Sequence, residues 1–139
     1  MRKRIRRVCA VAAMLIAGTS FTAIPAKADT TDYYFNLQVN TSDISKRTLK
    51  AGGSVYEKCF YVRPTYFSKN VRYHGGSFLL DTHSQYGVDI TISPSDRNKL
   101  LSGSYYKDPP SGKYYYLLGT YDAAATSGPS VYVEGRFTP

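Results

Sequence analysis

The sequence predicts an all-β protein, a small antiparallel β-sandwich or barrel of six to eight strands with at most one short helix. Apolar and polar residues alternate at period two along most of the chain after residue 28, which is the pattern of a half-buried strand. β-Branched and aromatic residues dominate the alternating segments, and clusters of Gly, Pro, Ser and Asp separate them. Because no repeat, heptad or linker interrupts the pattern, we expect residues 29–139 to form a single domain.

Six segments carry the strand pattern: 32–39, 54–62, 71–80, 86–93, 113–121 and 130–138. In the first, Tyr33, Phe35, Leu37 and Val39 share the face that we expect to be buried, and Tyr34, Asn36 and Gln38 take the other face. In the last, the inward set is Val131, Val133, Gly135 and Phe137, and in the fourth it is Val88, Ile90 and Ile92. The segment 54–62 has large side chains on both faces, which favours a central strand.

Two local features modify this plan. Gly75 and Gly76 predict a bulge or kink within the third strand. Ser93-Pro94-Ser95-Asp96 has the residues of a helix start, with Ser93 as N-cap and Pro94 in the first turn, where its missing N–H costs nothing. We expect Leu100 and Leu101 to pack this helix of one or two turns against the core, and Gly103 to end it.

Residues 1–28 have the composition of a secretory signal peptide. A basic start is followed by an apolar run over 8–18 and then by Ala26-Lys27-Ala28, whose small residues suit a signal peptidase. The apolar run is shorter than the roughly 20 residues that a spanning helix needs. We therefore predict cleavage after Ala28, secretion to the extracellular medium, and no stable membrane insertion afterwards.

Removal of the leader changes the charge and the cysteine count. Six of the 18 Lys and Arg residues lie within it and all ten Asp and Glu residues follow it, so the remaining chain has a net charge of about +2. Nucleic-acid binding, which needs a clustered positive face, is therefore not expected. Of the cysteines only Cys59 remains, so we expect a monomer, with a dimer through Cys59 as the alternative.

No residue pattern in the chain specifies catalysis. Cys59 with His74 or His83 would be a thiolate pair, but a cysteine in the middle of a strand is more typical of a structural residue than of a nucleophile. Asp81, His83 and His74 would supply three metal ligands, but a polar loop is also where Asp and His commonly form turns. We expect no catalytic residue, metal or cofactor.

The tyrosines are the unusual feature of the composition. All 14 lie after residue 28, and five of them flank the turn 108–112: Tyr105, Tyr106, Tyr114, Tyr115 and Tyr116. We predict a hairpin here. Apolarity does not choose its inward face, because Leu117 shares the side of Tyr115 and Leu118 the side of Tyr114 and Tyr116; we predict Tyr115 and Leu117 inward because this leaves two tyrosines for the surface. Tyr105, Tyr106, Tyr114 and Tyr116 are the candidate ligand-binding residues, because tyrosine offers wide contact area and a polar tip. Alternatively, they are only good cross-strand neighbours on a solvated sheet.

Three short segments carry a resemblance. Lys-Arg-x₆-Ser-Val-Tyr-x-Lys over 46–58, Lys-Tyr-x-x-Leu-x-Gly over 113–119 and Tyr-x-x-Gly-x-Phe-x-Pro over 132–139 are similar to segments of a loose group of small secreted proteins of Gram-positive bacteria whose role is uncharacterised. The resemblance implies a leader and a β-rich fold, and it transfers no functional residue. A remoter likeness is to secreted β-sandwich bacteriocins.

These observations favour a secreted, non-enzymatic binding or interaction module. Its expected partner is cell-wall carbohydrate or a surface protein. The alternative is a secreted antibacterial polypeptide of the bacteriocin kind. The small size and slight positive charge of the chain favour this alternative.

Overall fold

The computed structural model describes residues 29–39, 41–50, 58–121 and 130–139, so the predicted leader and residues 54–57 of the second predicted strand lie outside the described residues. The described part has ten strands and one turn of 3₁₀ helix, Pro94–Asp96. The strands are β1 Thr31–Leu37, β2 Ser42–Ile44, β3 Thr48–Leu49, β4 Cys59–Phe67, β5 Tyr73–Leu79, β6 Ser84–Gln85, β7 Ile90–Ile92, β8 Leu101–Ser104, β9 Tyr114–Tyr121 and β10 Val131–Thr138. The all-β prediction is confirmed, and the count exceeds six to eight because four short strands, β2, β3, β6 and β8, form outside the six predicted segments.

The strands form two antiparallel sheets that pack as a sandwich. Sheet A has the order β1-β10-β4-β8. Sheet B has the order β2-β9-β5-β6, with β3 also paired to β9 and β7 to β5. The predicted segment 54–62 corresponds to β4, which is an interior strand as expected but runs on to Phe67.

The core lies between the sheets, where alternate residues of each strand meet. Tyr33, Phe35 and Leu37 of β1 and the predicted inward set of β10 are all buried, as the alternation indicates. Val39 is the exception, because the chain turns after β1 and leaves it 38 % exposed. One polar contact within this core joins the two sheets: the hydroxyl oxygens of Tyr33 and Tyr73 lie 2.6 Å apart and form a buried hydrogen bond.

One side of the sandwich is closed by β8. The Val88 N–H donates to the Ser104 carbonyl (2.9 Å) and the Tyr106 N–H donates to the Tyr86 carbonyl (2.8 Å), so the end of β8 in sheet A reaches the segment that flanks β5 in sheet B. Two glycines make this close approach possible, because the ring of Phe60 lies against both Gly87 and Gly103. A strand edge that is joined in this way is protected from pairing with other chains.

The predicted helix is shorter than expected. Its start is confirmed, since the Ser93 N–H donates to the Asp96 carboxylate at 3.0 Å and the Asp96 N–H donates to the Ser93 carbonyl at 2.9 Å. The chain then leaves the helix after one turn, so Leu100 is 59 % exposed and Gly103 lies in β8. The prediction that Leu100, Leu101 and Gly103 complete the helix is wrong, because pairing with β4 takes residues 101–104 into sheet A.

The predicted bulge at Gly75 and Gly76 is also wrong. β5 pairs with β9 in continuous register from Tyr73 opposite Tyr121 to Leu79 opposite Tyr115. The glycines serve packing, since a Cβ on Gly76 would collide with the Asp89 carboxylate. The one register shift in sheet A lies between β10 and β4, where Glu134 pairs with Tyr66 and Gly135 with Pro64, so Thr65 is the extra residue.

Gly103→Ala is expected to lower the free energy of unfolding by about 1–3 kcal/mol, the usual cost of overpacking. The added Cβ would overlap the Phe60 ring, which cannot retreat because it is fully buried. Thermal unfolding measures the change. Ser102→Ala on the same strand, at an exposed position, is the control and should shift stability by less than about 0.5 kcal/mol. Equal stability of the two variants would contradict this account of β8.

Candidate functional site

The five tyrosines around residues 108–112 do not lie on one hairpin. Tyr105 follows β8, whose partner is β4 in sheet A, whereas Tyr114 begins β9, whose partners are in sheet B. The hairpin prediction is therefore wrong, because the chain crosses from one sheet to the other at this turn. The choice of the inward face is confirmed, since Tyr115 and Leu117 are completely buried.

Two of the four candidate binding tyrosines are covered. Tyr116 is only 6 % exposed, because its ring stacks on Phe78 (centroids 5.6 Å apart) and lies beside His83 (6.1 Å). This burial raises the pKa of Tyr116 above its usual value. Tyr105 packs edge-on against Phe60 (5.8 Å), with the Lys50 ammonium 4.9 Å from its ring centroid. Both rings contribute to packing and present little surface to a ligand.

The other two candidates, Tyr106 and Tyr114, are exposed by 65 % and 40 %. The Arg47 guanidinium lies 5.0 Å from the ring centroid of Tyr114, an arrangement that favours a cation–π contact. Tyr106 lies two residues beyond the end of β8 in sheet A, whereas Tyr114 is the first residue of β9 in sheet B. Of the four candidate residues, these two are the ones that keep a largely exposed ring.

The residues considered for catalysis and metal binding are also dispersed. Cys59 is a partly buried free thiol at the start of β4 in sheet A, opposite Ser104. His74 is in β5 of sheet B, where its Nδ1 lies 3.3 Å from the Thr91 hydroxyl, and the Asp81 carboxylate accepts from the Lys113 ammonium at 2.9 Å. Among the residues that the structure describes, no three His, Cys, Asp or Glu side chains form a group that would hold a metal ion.

A different set of tyrosines shares one exposed surface. Tyr34 on β1, Tyr132 on β10 and Tyr66 on β4 stand on the outer face of sheet A, with exposures of 67 %, 55 % and 43 %. Their strands are direct neighbours in the order β1-β10-β4. We call these three residues the tyrosine face. Exposed aromatic residues that cluster on a sheet are typical of recognition surfaces.

The register fixes the arrangement of this face. Tyr34 and Tyr66 both pair with Glu134, which lies between them. Since neighbouring strands are about 4.8 Å apart, the Tyr34 and Tyr66 backbones are separated by roughly 10 Å. Tyr132 stands two residues from Glu134 on the same strand, roughly 7 Å away at the usual rise of a strand. The three rings therefore surround a carboxylate that can accept hydrogen bonds from a ligand.

A charged row lies next to the tyrosine face. Asp32, Arg136 and Arg63 occupy consecutive cross-strand positions on β1, β10 and β4. The Arg136 Nε lies 3.4 Å from the Asp32 carboxylate, and both side chains are more than half exposed. Arg63 makes no ion pair with any residue in the described ranges.

The backbone at this surface is held by hydrogen bonds that ordinary pairing would not supply. At the extra residue of β4, the Arg97 guanidinium donates to the Thr65 carbonyl at 2.8 Å, and the Asn98 N–H donates to the Pro64 carbonyl at 2.7 Å. Beyond β4, the Tyr132 N–H donates to the Ser68 hydroxyl at 2.9 Å. Such a prearranged surface loses little entropy when a ligand binds.

Comparisons with known protein families, with curated proteins and with solved structures found no match. Within residues 29–39, 41–50, 58–121 and 130–139, no helix could span a membrane.

Alternation predicts that Tyr34 points outward from β1 and that Tyr132, which lies between inward residues, points outward from β10. It does not predict that the two are neighbours, because they are almost a hundred residues apart in the chain and only the pairing of β1 with β10 brings them close. Tyr66 lies beyond the end of the predicted strand 54–62, and its outward direction depends on the extra residue Thr65. The sequence therefore predicts the outward direction of Tyr34 and Tyr132 but not that of Tyr66.

Proposed function

We propose that residues 29–139 form a secreted, non-enzymatic binding module that holds cell-surface polysaccharide on the tyrosine face. The observation that carries the proposal is the presence of three exposed tyrosines on three adjacent strands of one sheet. The predicted cleaved leader supports an extracytoplasmic location, where such polysaccharides are found.

The chemistry of the face suits a carbohydrate. One side of a pyranose ring presents C–H groups, which pack on an aromatic ring, while the hydroxyls at its edge need polar partners. The tyrosine rings supply the apolar contact at little entropic cost, since each has few rotatable bonds. Glu134 and Asn36 provide acceptors and donors between and beside the rings, because Asn36 pairs with Tyr132 across β1 and β10.

An open, partly polar sheet face also fits an extended chain better than a small molecule. A pocket for a small molecule encloses most of its ligand, whereas these rings stand outward from an open sheet. A polysaccharide chain can contact several rings at once, and several weak contacts on one chain add to a useful affinity.

Retention on purified Gram-positive cell walls and on a panel of insoluble polysaccharides tests the proposal. We expect the chain 29–139 to bind at least one of these, and the triple variant Tyr34→Ala/Tyr66→Ala/Tyr132→Ala to bind at least tenfold less tightly, since each stacked ring contributes on the order of 1 kcal/mol. The variant should remain folded, because truncation of exposed side chains costs little stability.

The matched control is Tyr106→Ala/Tyr114→Ala, which also removes exposed tyrosine rings but leaves the tyrosine face intact. This control should bind like the parent chain. Loss of binding in the control with retention in the triple variant would move the site back to the residues that the sequence favoured. A parent chain that stays in the supernatant with every wall and polysaccharide would overturn the proposal.

A further inference from the structure

Two depressions of about 180 Å³ lie on the outer face of sheet A and differ in charge. The first, beside Tyr34, is lined by Asp32, Glu134 and Arg136 together with Tyr33, Thr65 and Gly135. The second is lined by Thr30, Tyr61, Arg63, Leu100, Arg136 and Thr138. Both arginines of the charged row line the second depression, and none of the described residues that line it is Asp or Glu. Arg136 contributes to both depressions.

The two arginines lie closer together than stability alone favours. Arg63 and Arg136 are directly opposite each other on β4 and β10, and like charges at such positions repel. Asp32 is the only acidic residue of the row, and its contact with Arg136 at 3.4 Å is too exposed to compensate much. An arrangement that costs stability and places two guanidinium groups at one depression is characteristic of an anion-binding site.

The other residues that line this depression indicate what kind of ligand carries the anionic group. Tyr61 and Leu100 are apolar surfaces, and Leu100 is exposed without contributing to the core. The hydroxyls of Thr30 and Thr138 lie 2.8 Å from each other at its border and can bond to polar groups of a ligand. A carboxylated sugar ring matches all three features of this depression, because it has an apolar ring face, hydroxyls and a negative group.

We infer that the polysaccharide bound by this protein is acidic, and that Arg63 and Arg136 receive the carboxylate of a uronic acid unit while neighbouring units stack on the tyrosine face. This inference rests on the proposed function. A carboxylate suits the forked guanidinium donors. The tyrosines favour a uronic acid over a polyol phosphate chain, because a polyol phosphate backbone has no sugar ring to stack on them.

Binding to alginate, polygalacturonate and hyaluronan, each compared with its carboxyl-reduced form, tests the inference. We expect at least one of the three to bind the chain 29–139 at least tenfold more tightly than its reduced form, with an advantage that declines as salt is raised. Arg63→Gln/Arg136→Gln should abolish this advantage and leave binding to the reduced polysaccharide unchanged. Lys113→Gln/Lys107→Gln, which removes as much positive charge from other exposed positions, should keep it.

The outcomes separate this inference from the proposed function. Equal binding of all acidic and reduced polysaccharides would overturn the inference and leave the tyrosine face as a neutral carbohydrate site. Tighter binding to poly(glycerol phosphate) than to any carboxylated polysaccharide would also overturn it. Absence of binding to every polysaccharide, acidic or reduced, would overturn both. The arginine variant should be at least as stable as the parent, since it removes a repulsion, so loss of folding would likewise contradict the argument.

Discussion

Tyr115→Ala is expected to lower the free energy of unfolding by about 3–5 kcal/mol, as truncation of a large core aromatic residue does. Tyr115 is fully buried between the sheets, with its ring 6.1 Å from that of Tyr86 and 5.9 Å from that of Tyr105. Its hydroxyl donates to the Pro110 carbonyl at 3.0 Å, which fixes the crossing between the sheets. For a domain of this size, each kcal/mol corresponds to about 4–8 °C in the unfolding midpoint.

Two controls separate the causes. Tyr115→Phe removes only the hydrogen bond to Pro110 and should cost about 1 kcal/mol. Tyr114→Ala, at the exposed neighbouring position, should cost well under about 1 kcal/mol. Chemical denaturation measures all three variants. A Tyr114→Ala variant as unstable as Tyr115→Ala would mean that the two faces of β9 are assigned wrongly.

The second large effect is a loss of stability at alkaline pH. Burial raises the pKa of Tyr33 well above its ordinary value of 10.0, and burial together with the neighbouring Tyr33 does the same for Tyr73. The folded protein therefore keeps both hydroxyls protonated when the unfolded chain ionises them. The resulting stabilisation is complete below about pH 10, the unfolded pKa, and is lost as the pH rises through 10 toward the folded pKa.

The expected slope for this pair is large. While neither hydroxyl ionises in the folded state, each contributes about 1.4 kcal/mol per pH unit, so the pair removes roughly 3 kcal/mol per unit above pH 10. Denaturant unfolding at pH 8, 10 and 11 measures it. Stability that stays constant between pH 8 and pH 11 would contradict the buried state of the pair.

The matched variant is Tyr33→Phe/Tyr73→Phe, which removes both partners of the 2.6 Å hydrogen bond together and leaves no unpaired hydroxyl. Such paired replacement is nearly neutral for stability at pH 8. Its alkaline slope should be smaller but not zero, because burial also raises the pKa of Tyr115 and Tyr116. A slope equal to that of the parent would assign the alkaline loss to other groups.

Local patterns predicted much of the fold. The inward faces of β1 and β10 follow from alternation because successive residues of a strand point to opposite sides, a property of the backbone that does not depend on partners. The start of the 3₁₀ helix at Ser93 was also predictable from local sequence, because a capping box involves only four consecutive residues. Gly103 was misassigned because a glycine at a helix end and a glycine beneath a buried ring look alike in a sequence.

The candidate site was predictable only in part. The sequence indicated that the chain is unusually rich in tyrosine and that some of the tyrosine side chains point outward. It favoured Tyr105, Tyr106, Tyr114 and Tyr116 because they are close together along the chain. Proximity along the chain does not determine which rings share an exposed surface, since β8 and β9 enter different sheets and the rings of Tyr105 and Tyr116 pack against neighbouring rings.

The sequence by itself determined the all-β class, the buried sides of β1 and β10 and the richness in tyrosine, because all three depend on local periodicity and composition. Only the tertiary structure decided which outward residues meet. Pairing of β1 with β10 and of β10 with β4 joins residues that are far apart in the chain, and the extra residue Thr65 sets the direction of Tyr66. The tertiary structure also decided which outward side chains are exposed. Tyr116 points outward but is buried, because neighbours such as Phe78 cover its ring.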